Sequence, residues 1–455
     1  MAETDIYIVH ASEDLEIAKI LYDHLSVQWD VWWDDLMAGE VQDNVEEEIS
    51  KAKCVVAVFS THARKKPTVI SELNNARALG KKILPIRIDH SKPPYSFDTL
   101  SIIEMVGWTG NVDHDGFRQL QRRLARLVKP KSPRRPKNIL SGRIPLPTVF
   151  MSVSSHETKI FPVDAVNVLK ACEMPAILIS AYDLVARRKP EGLINAVRSY
   201  RDNNGVVLVD SGNYEKSRRG NNRWKPDDLK EVLAATPHDL AFCFDVMNPN
   251  PNVEQAVNEI VAAVERDRSF SREPVIPVIH APKLEEGGYS LEYLPQIVRE
   301  VCNALEPPIV AIPERELGAG IIARAKMVRS IRTELDKLHH YQPIHLLGTG
   351  HPWSIAILAA AGADTFDGLE WCRYTIDPEL EGINHFHHFD LFGKNDDERI
   401  GFAGNVAIHN LVYYRSLSEI MHDMFLKNSV ERFVHGIVGK KVFPIITEQF
   451  PELFQ

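Results

Sequence analysis

The sequence lacks the features that would place it outside the cell or in a membrane. Its 455 residues contain five scattered cysteines: Cys54, Cys172, Cys243, Cys302 and Cys372. No two of them form a CxxC pair, which excludes the usual cysteine zinc site and a disulfide framework and fits a reducing compartment. No uncharged apolar run is long enough to span a bilayer. The start, MAETDIYIVHASED, has no basic region followed by an apolar core, so we expect no signal peptide and a cytoplasmic protein.

The chain also lacks the excess of positive charge typical of proteins that bind nucleic acid over their whole surface. Its formal net charge is −9, which leaves room only for local basic patches. There is no short-period repeat and no low-complexity tract. What is present is a globular composition, 44% hydrophobic and 25% charged, in a chain too long for one ordinary domain. The sequence therefore predicts two or three domains.

One stretch interrupts the apolar patterning of the chain. KPKSPRRPKNILSGRIPLP, residues 129–147, is rich in proline and cationic residues and has no apolar period. It predicts an exposed linker over 129–144 that separates a first domain, 1–128, from a second, 145–455. Its charges are either simply solvated or in contact with nucleic acid.

Short β-rich runs alternate with amphipathic stretches in the first domain. The runs are DIYIVH (5–10), WDVWWD (29–34), CVVAVFS (54–60), KILPIRI (82–88) and IIEMVGW (102–108). Strands that alternate with helices predict an α/β fold, here a flavodoxin-like, five-stranded parallel sheet covered on both faces. Ligands of such sheets bind at the carboxyl ends of the strands.

The alternation continues through the second domain with eight strand-like runs: TVFMSV, AILISA, GVVLVD, DLAFCFD, PVIPVIH, PIVAIP, IHLLG and ADTFDG. Eight strands separated by helices predict a (β/α)8 TIM barrel. Several of the runs end on a polar residue or glycine: Asp210, Asp245, His280, Glu314, Gly348 and Asp367. Because the strand ends form the active face of a barrel, these residues are candidates for a site.

Three blocks in the first domain are similar to a TIR domain of the microbial type: DIYIVHASED, VWWDDLMAGEVQDNVEEEIS and CVVAVFSTHARKKPTVISELNNARALGKKILPIRID. The resemblance covers about residues 4–128. Many TIR domains hydrolyse NAD+, so the resemblance implies NAD+ as substrate and Glu72, in ISELNNA, as the catalytic residue. A carboxylate suits this chemistry, because breaking the nicotinamide–ribose bond builds positive charge on the sugar.

The resemblance also implies a substrate pocket around Glu72. A tryptophan is usual four residues before the glutamate, and Thr68 stands there in this sequence. His10 and Trp33, near strand ends, are the aromatic residues expected to replace it. Ser12 completes the predicted set together with Leu36, which lies in a loop, DLMAGEV (35–41), that in the family joins neighbouring copies. Two alternatives stay open: Glu72 is an ordinary solvated helix residue, or the domain is purely an interaction module.

Five blocks in the second domain resemble a tRNA-guanine transglycosylase, that is, a queuine-type tRNA ribosyltransferase. They are PTVFMSV, VLVDSGNYE (207–215), AFCFDVMNP (241–249), IHLLGTGHPWSIAILAAAGADTFDGLEWCR (344–373) and AIHNLVYY (407–414). The resemblance implies that Asp367 is a nucleophile towards ribose C1′, that Asp210 is a general acid/base, and that Asp245 reads the base edge. The alternative for Asp367 is a helix cap in a barrel that serves only as scaffold.

The second domain departs from that family in three places. Its zinc cysteines are missing, although His409 matches the zinc histidine and His385, His387 and His388 lie nearby; bound zinc is therefore doubtful. His280 stands where the family has a glutamine. Pro313 and Glu314 replace a glycine pair, which predicts a reshaped pocket and a different ligand. A basic segment, KSRRGNNRWK (216–225), is either a solvated loop or a grip for a phosphate backbone, with Trp224 for stacking.

Together these patterns favour an NAD+-cleaving effector whose TIR domains self-assemble and whose barrel senses a nucleoside-like ligand or nucleic acid. The expected biological role is bacterial anti-phage defence. The rival hypotheses are base exchange on tRNA or DNA by the barrel, with the TIR domain as assembly module, and a scaffold in which both sites are idle.

Overall fold

The protein consists of two compact units, Met1–Arg134 and Arg135–Gln455. The structure, a computed structural model, describes residues 4–34, 45–111, 114–128, 135–156, 158–185, 189–214, 223–379, 382–393 and 399–454. Within these ranges every helix is too short or too polar to cross a membrane.

The first unit is a parallel five-stranded sheet with helices on both faces. Its strands are β1 (Ile6–Val9), β2 (Val31–Trp33), β3 (Cys54–Phe59), β4 (Lys82–Arg87) and β5 (Ile103–Glu104). Its helices are α1 (Leu15–Leu25), α2 (Val45–Lys51), α3 (Pro67–Ala78) and α4 (Asp115–Leu127). The strand order is β2-β1-β3-β4-β5. Each strand falls in one of the five predicted runs, which confirms the flavodoxin-like prediction.

The two faces of this sheet bury alternate residues of each strand. On β1, Ile6 and Ile8 pack with residues of α1 and α4, whereas Tyr7 and Val9 pack with residues of α2 and α3. Because both faces are covered, the strands read as continuous apolar runs. Helix α3 places its buried stripe against the sheet, and Glu72 lies beside that stripe, on the face that carries Tyr7.

The second unit is a ring of eight parallel strands. They are β8 (Thr148–Val153), β9 (Ala176–Ser180), β10 (Val206–Asp210), β11 (Leu240–Phe242), β12 (Val275–Ile276), β13 (Val310–Pro313), β14 (Ile344–Leu347) and β15 (Thr365–Gly368), preceded by a hairpin of β6 (Asn138–Ile139) and β7 (Ile144–Pro145). The order β12-β11-β10-β9-β8-β15-β14-β13 places β12 and β13 at the two ends. A bridge between Val278 and Ala311 joins those ends, and the Ile279 N–H donates to the Ala311 carbonyl at 2.8 Å. This confirms the barrel prediction.

Helices pack around the barrel and follow most of its strands. They are α5 (Pro162–Ala171), α6 (Ala181–Leu184), α7 (Glu191–Asp202), α8 (Pro226–Ala235), α9 (Val253–Arg268), α10 (Leu294–Leu305), α11 (Ile321–Leu335), α12 (Pro352–Ala361), α13 (Glu370–Arg373), α14 (Phe402–Leu426) and α15 (Val430–Gln449). Strands β16 (Tyr374–Asp377) and β17 (Gly382–His385) form a separate antiparallel pair. Local sequence sets several helix starts: proline is the first residue of α5, α8 and α12, where its missing N–H costs nothing.

The second unit begins inside the stretch predicted as an exposed linker. Arg135 donates from Nε to Oδ1 of Asp364 at 2.6 Å, and Tyr341 donates to the same oxygen at 2.6 Å. Arg332 and the Ile344 N–H each donate to Oδ2 at 2.8 Å. Asp364 is fully buried just before β15, at the end of the barrel away from the strand carboxyl ends. This network is hidden in the sequence because its members lie between 20 and 229 residues from Asp364 along the chain.

Replacing Asp364 with asparagine is expected to destabilise the second unit by about 3–5 kcal/mol, because Arg332 would remain buried without its carboxylate. Urea unfolding measures the loss. The matched control is Asp336→Asn, because Asp336 approaches Arg332 only at 4.0 Å and is partly exposed; it should change the unfolding free energy by less than about 1 kcal/mol. Equal effects of the two variants would contradict this account of the network.

Candidate functional site

A cavity of about 310 Å³ opens at the carboxyl ends of the barrel strands. Its polar lining includes residues that end or follow six of the strands: Ser152, Ser154, Asp210, Ser211, Asp245, His280, Arg315, Asp367, Glu370 and Arg373. Five of the six residues predicted from strand ends therefore line one cavity: Asp210, Asp245, His280, Gly348 and Asp367. The side chain of Asp210 accepts a hydrogen bond from the Gly212 N–H at 3.1 Å.

Asp367 is held by donors from neighbouring strands. Its Oδ2 accepts from Ser152 Oγ at 2.6 Å, and its Oδ1 accepts from the Gly348 N–H at 2.9 Å. The ring of His345 lies 3.3 Å away through Nε2. The helix-cap alternative for Asp367 is wrong, because α13 starts after Leu369 with no side-chain cap. The carboxylate is instead fixed at the cavity wall, beside the space where a ligand would lie.

Asp245 forms one end of a buried chain of charges. His280 Nε2 lies 2.7 Å from Asp245 Oδ2, and His280 Nδ1 lies 2.9 Å from Glu316 Oε1. Burial opposes protonation of His280, but the hydrogen bonds to both carboxylates raise its pKa to about 9. Burial likewise opposes ionisation of Asp245, yet the hydrogen bond from His280 lowers the pKa of that carboxyl below its usual value. Near neutral pH the imidazole of His280 is therefore protonated and lies between the side chains of Asp245 and Glu316.

The residues that replace the family's glycine pair behave differently from one another. Pro313 lines the cavity, as the sequence predicts. Glu314 is not among the lining residues, and its Oε1 accepts from Arg324 Nη1 at 2.8 Å. Of these two residues, only the proline therefore lies in the cavity wall. The neighbouring Arg315 lines the cavity instead, with its guanidinium 4.6 Å from the centre of the Tyr214 ring.

Trp224 does not offer a surface for stacking nucleic acid. Its side chain is fully buried, and its Nε1 donates to the Ser211 carbonyl at 3.0 Å. Its ring packs 5.3 Å from that of Tyr182, and a side chain at Gly212 would collide with it. The stacking prediction is therefore wrong, and Trp224 supports the loop that carries Ser211. Residues 216–222 of the basic segment lie outside the described residues.

The histidines near the end of the barrel do not form a substitute zinc site in the described part of the chain. His409 Nε2 lies 2.8 Å from the Ile376 carbonyl, a hydrogen bond that occupies this nitrogen. His385 has its ring centre 5.2 Å from that of His387 and 5.6 Å from that of His388. Over the described ranges, no group of three or more histidine, cysteine or acidic side chains has the arrangement needed to hold a metal ion. The family's zinc therefore does not fit these residues.

In the first unit, Glu72 contacts a tyrosine, Tyr7, whose ring stacks on a tryptophan. The hydroxyl of Tyr7 donates to Glu72 Oε2 at 3.2 Å, and the Tyr7 ring stacks on Trp32 with the ring centres 5.0 Å apart. Burial raises the pKa of Glu72 to about 7; the Tyr7 hydrogen bond opposes this rise and the charge of Asp34 adds to it. Glu72 is therefore half-buried and titrates near neutrality, which is not the behaviour of an ordinary solvated helix residue.

The other predicted residues of this pocket are spread around the strand ends. Trp33 packs 5.5 Å from Tyr22 on the sheet face opposite Glu72. Trp32 is the tryptophan on the face of Glu72, where it stacks on Tyr7. His10 lies with Nε2 3.2 Å from the Asp34 carbonyl. Of the three remaining predicted residues, two are exposed at the surface and the third lies outside the described residues. Ser12 accepts from Lys66 at 2.7 Å, Thr68 is exposed, and Leu36 lies outside the described residues.

Several residues of the two sites were not predicted from the sequence. They are Tyr7 and Trp32 in the first unit and Ser152, Ser211, Glu316, His345 and Glu370 in the second. Two of them could have been predicted from the sequence. Ser152 and His345 are polar residues inside mostly apolar strands, and a polar side chain buried there needs a hydrogen-bond partner.

Comparison with known proteins gives two family matches. Residues 6–121 match the TIR domain, and residues 137–377, more than half of the chain, match the queuine tRNA-ribosyltransferase family. Both resemblances are thereby confirmed.

Similar proteins include tRNA-guanine(15) transglycosylases of three archaea. That of Archaeoglobus fulgidus is 23% identical over 320 residues, which cover 61% of this chain and 60% of the relative. That of Nanoarchaeum equitans is 21% identical, over 58% of this chain and 66% of the relative. That of Methanothermobacter thermautotrophicus is 23% identical, over 56% and 42%. The chain therefore spans less than two thirds of the length of each of these relatives.

Proposed function

The chain belongs to the queuine tRNA-ribosyltransferase family and carries a TIR domain at its front, and from this premise we propose that it is an NAD+ nucleosidase governed by its barrel. The first unit releases nicotinamide from NAD+ at Glu72. The barrel cavity binds a nucleoside-like ligand, and TIR domains of neighbouring copies assemble in response. Depletion of NAD+ arrests a cell, which suits a role in bacterial defence against phage.

The observation that supports this function best is the contact between Glu72 and Tyr7. As the bond between nicotinamide and ribose breaks, its electron pair leaves with nicotinamide and positive charge develops on the sugar. A carboxylate in a partly dry site stabilises that charge more strongly than water does, because charges there are poorly screened. Nicotinamide departs as a neutral molecule and needs no acid. Water then adds to the sugar carbon and loses a proton, which gives ADP-ribose.

The proposed function is tested by following nicotinamide release from NAD+. Purified full-length protein is assayed at low and high concentration, with and without lysate of phage-infected cells, while its particle size is recorded. We expect release to accompany an increase in particle size, to disappear in Glu72→Ala and to persist in Asp367→Ala. Intact NAD+ in every assembled sample would overturn the proposal.

Replacing Tyr7 with phenylalanine is expected to move the pH profile of nicotinamide release to higher pH. The Tyr7 hydroxyl stabilises the ionised form of Glu72, so its removal raises the pKa of that carboxyl. A hydrogen bond to a charged group contributes about 1.5 kcal/mol, which corresponds to about one pH unit in the midpoint. The matched control is Tyr22→Phe, because Tyr22 packs on the other sheet face. Coincident profiles for wild type and Tyr7→Phe would contradict the assigned contact.

A second candidate function is base exchange in the barrel, and the fixed position of Asp367 favours it. Attack of its carboxylate on C1′ of a nucleoside forms a C1′–O bond while the bond to the base breaks, and the base leaves with the electron pair and takes up a proton. An incoming base then displaces the carboxylate and releases its own proton. Asp210, at the edge of the same cavity, is the candidate for moving those protons.

Incorporation of labelled guanine into tRNA tests this second candidate. Incorporation that Asp367→Ala abolishes and Glu72→Ala leaves intact would support it. If wild type incorporates no guanine under conditions where it releases nicotinamide, base exchange is excluded and only the NAD+ nucleosidase function remains.

A further inference from the structure

Glu370 is a carboxyl group in the cavity wall that neither the family match nor the proposed chemistry uses. It follows Asp367 by three residues, begins α13, and lines the cavity. It has no counterpart among the residues that the family resemblance singled out. Its position therefore places a second acid beside the carboxylate of Asp367.

The backbone around Glu370 is shaped to accept its side chain. A Cβ atom added to either Gly350 or Gly368 would overlap Glu370 Oε2, so the carboxyl group occupies space that only these glycines leave open. Oε2 is buried and has no hydrogen-bond partner among the described residues. An ionised oxygen in such a place is costly, whereas a neutral acid is tolerated.

The electrostatic surroundings of Glu370 favour the same neutral form. Burial raises its pKa to about 7, and the charges of Asp367 and Glu314 add to the rise. A hydrogen bond from the backbone of Glu370 itself and the Arg373 guanidinium oppose it. The titratable and charged groups that face it are two acids, a cation, a thiol and a phenol: Asp367, Glu314, Arg373, Cys372 and Tyr414.

Within the proposed nucleoside site, the order of the strands indicates which part of a nucleoside reaches Glu370. The residues expected to meet a base, Asp210 and Asp245, end β10 and follow β11, whereas Asp367 lies on β15, three strands beyond β10 in the ring. A nucleoside that spans the cavity with its base at Asp245 and C1′ at Asp367 places the rest of its sugar over Glu370.

We propose that Glu370 is a specificity-determining residue of this cavity, whose carboxyl group contacts the 2′-hydroxyl of a bound ribonucleoside beside the sugar carbon that Asp367 faces. The inference rests on the proposed nucleoside site and deepens it by naming a ribonucleoside as the ligand class. A 2′-deoxynucleoside lacks the partner for this acid and is bound more weakly.

Binding of the ribonucleoside is coupled to the protonation of Glu370. A ligand in the cavity excludes water, which disfavours the ionised form further and raises the pKa of Glu370 in the complex. Affinity is therefore highest below about pH 7 and falls as the pH rises above it. His280 stays protonated across this range, because its pKa is about 9. His156 also lines the cavity, so the effect of Glu370 is the difference between wild type and a variant that lacks the acid.

The test measures the Kd of guanosine and 2′-deoxyguanosine for the full-length protein at pH 6 and pH 8 by calorimetry. For wild type we expect guanosine to bind about tenfold more tightly than the deoxynucleoside, the loss expected for one hydrogen bond. We expect guanosine affinity to fall about tenfold between the two pH values. Glu370→Gln introduces a neutral side chain of the same shape. This variant should bind guanosine at pH 6 as tightly as wild type does, and its affinity should not decrease between pH 6 and pH 8.

Two further variants make the test decisive. Glu370→Leu should lose the preference for the 2′-hydroxyl, and Glu254→Gln, at an exposed glutamate of the same unit, should match wild type throughout. Thermal unfolding verifies that each variant is folded. The proposal is overturned if Glu370→Gln keeps the wild-type pH dependence or if Glu370→Leu keeps the preference. Failure of wild type to bind either nucleoside would overturn the nucleoside site itself, a result distinct from these two.

Discussion

Glutamine in place of Glu72 is expected to reduce nicotinamide release by about 100-fold or more, while the KM for NAD+ changes little. The amide has nearly the shape of the carboxyl group and still accepts the hydrogen bond from Tyr7, so the pocket keeps its form. What disappears is the negative charge that opposes the developing charge on the sugar. Because that charge exists only in the transition state, the loss falls on kcat.

The pH dependence of the wild-type rate adds a second measurement to this substitution. Only ionised Glu72 is active, and its pKa is about 7, so the rate should rise with pH and level off above that value. The residual rate of Glu72→Gln should lack this rise. Glu16→Gln, at an exposed glutamate of α1 in the same unit, serves as the control and should keep the wild-type profile. A Glu72→Gln rate within a few-fold of wild type would exclude the carboxylate as the catalytic group.

The architecture was predictable because its signals are local. Parallel strands covered on both faces must be almost wholly apolar, and this made all thirteen strands of the two main sheets visible as short runs. The closure of the barrel was less visible. Strand β12 spans only Val275–Ile276, and the bridge between Val278 and Ala311 completes the ring. The sequence pattern around these two residues does not predict that bridge.

The candidate site was predictable only where a residue stands at a strand end. Asp210, Asp245, His280 and Asp367 were found in this way, and the barrel brings them to one cavity. Their partners were not found, because the contacts that define them cross long stretches of chain. Ser152 meets Asp367 across 215 residues.

The aromatic residues show the same limit in both units. Adjacent strand residues point to opposite faces, so the choice between Trp32 and Trp33 as the tryptophan on the face of Glu72 depended on a register that the sequence leaves open. Trp224 lies next to basic residues and so suggested a binding surface. Its burial follows from the loop that it supports, and only the folded chain reveals that environment.

The second large effect is expected from replacing His280 with glutamine, which should destabilise the barrel unit by about 3–5 kcal/mol at pH 6.5. The imidazole separates Asp245 from Glu316, and all three side chains are buried. Without its positive charge the two carboxylates remain in the interior uncompensated. Urea unfolding measures the loss, and His387→Gln, at an exposed histidine of the same unit, should leave the unfolding free energy almost unchanged.

The pH dependence of this stabilisation has a definite sign. The pKa of His280 rises from an ordinary 6.5 to about 9 on folding, so its contribution is fully present below about pH 6.5 and is lost as the pH rises through about 9. The corresponding free energy is about 3 kcal/mol. The unfolding free energy of wild type should therefore decrease between about pH 6.5 and pH 9, whereas that of His280→Gln should not. The difference in unfolding free energy between the two proteins should become smaller over this range. Parallel curves for the two proteins would mean that His280 is neutral in the folded state and that the chain from Asp245 to Glu316 carries one charge fewer.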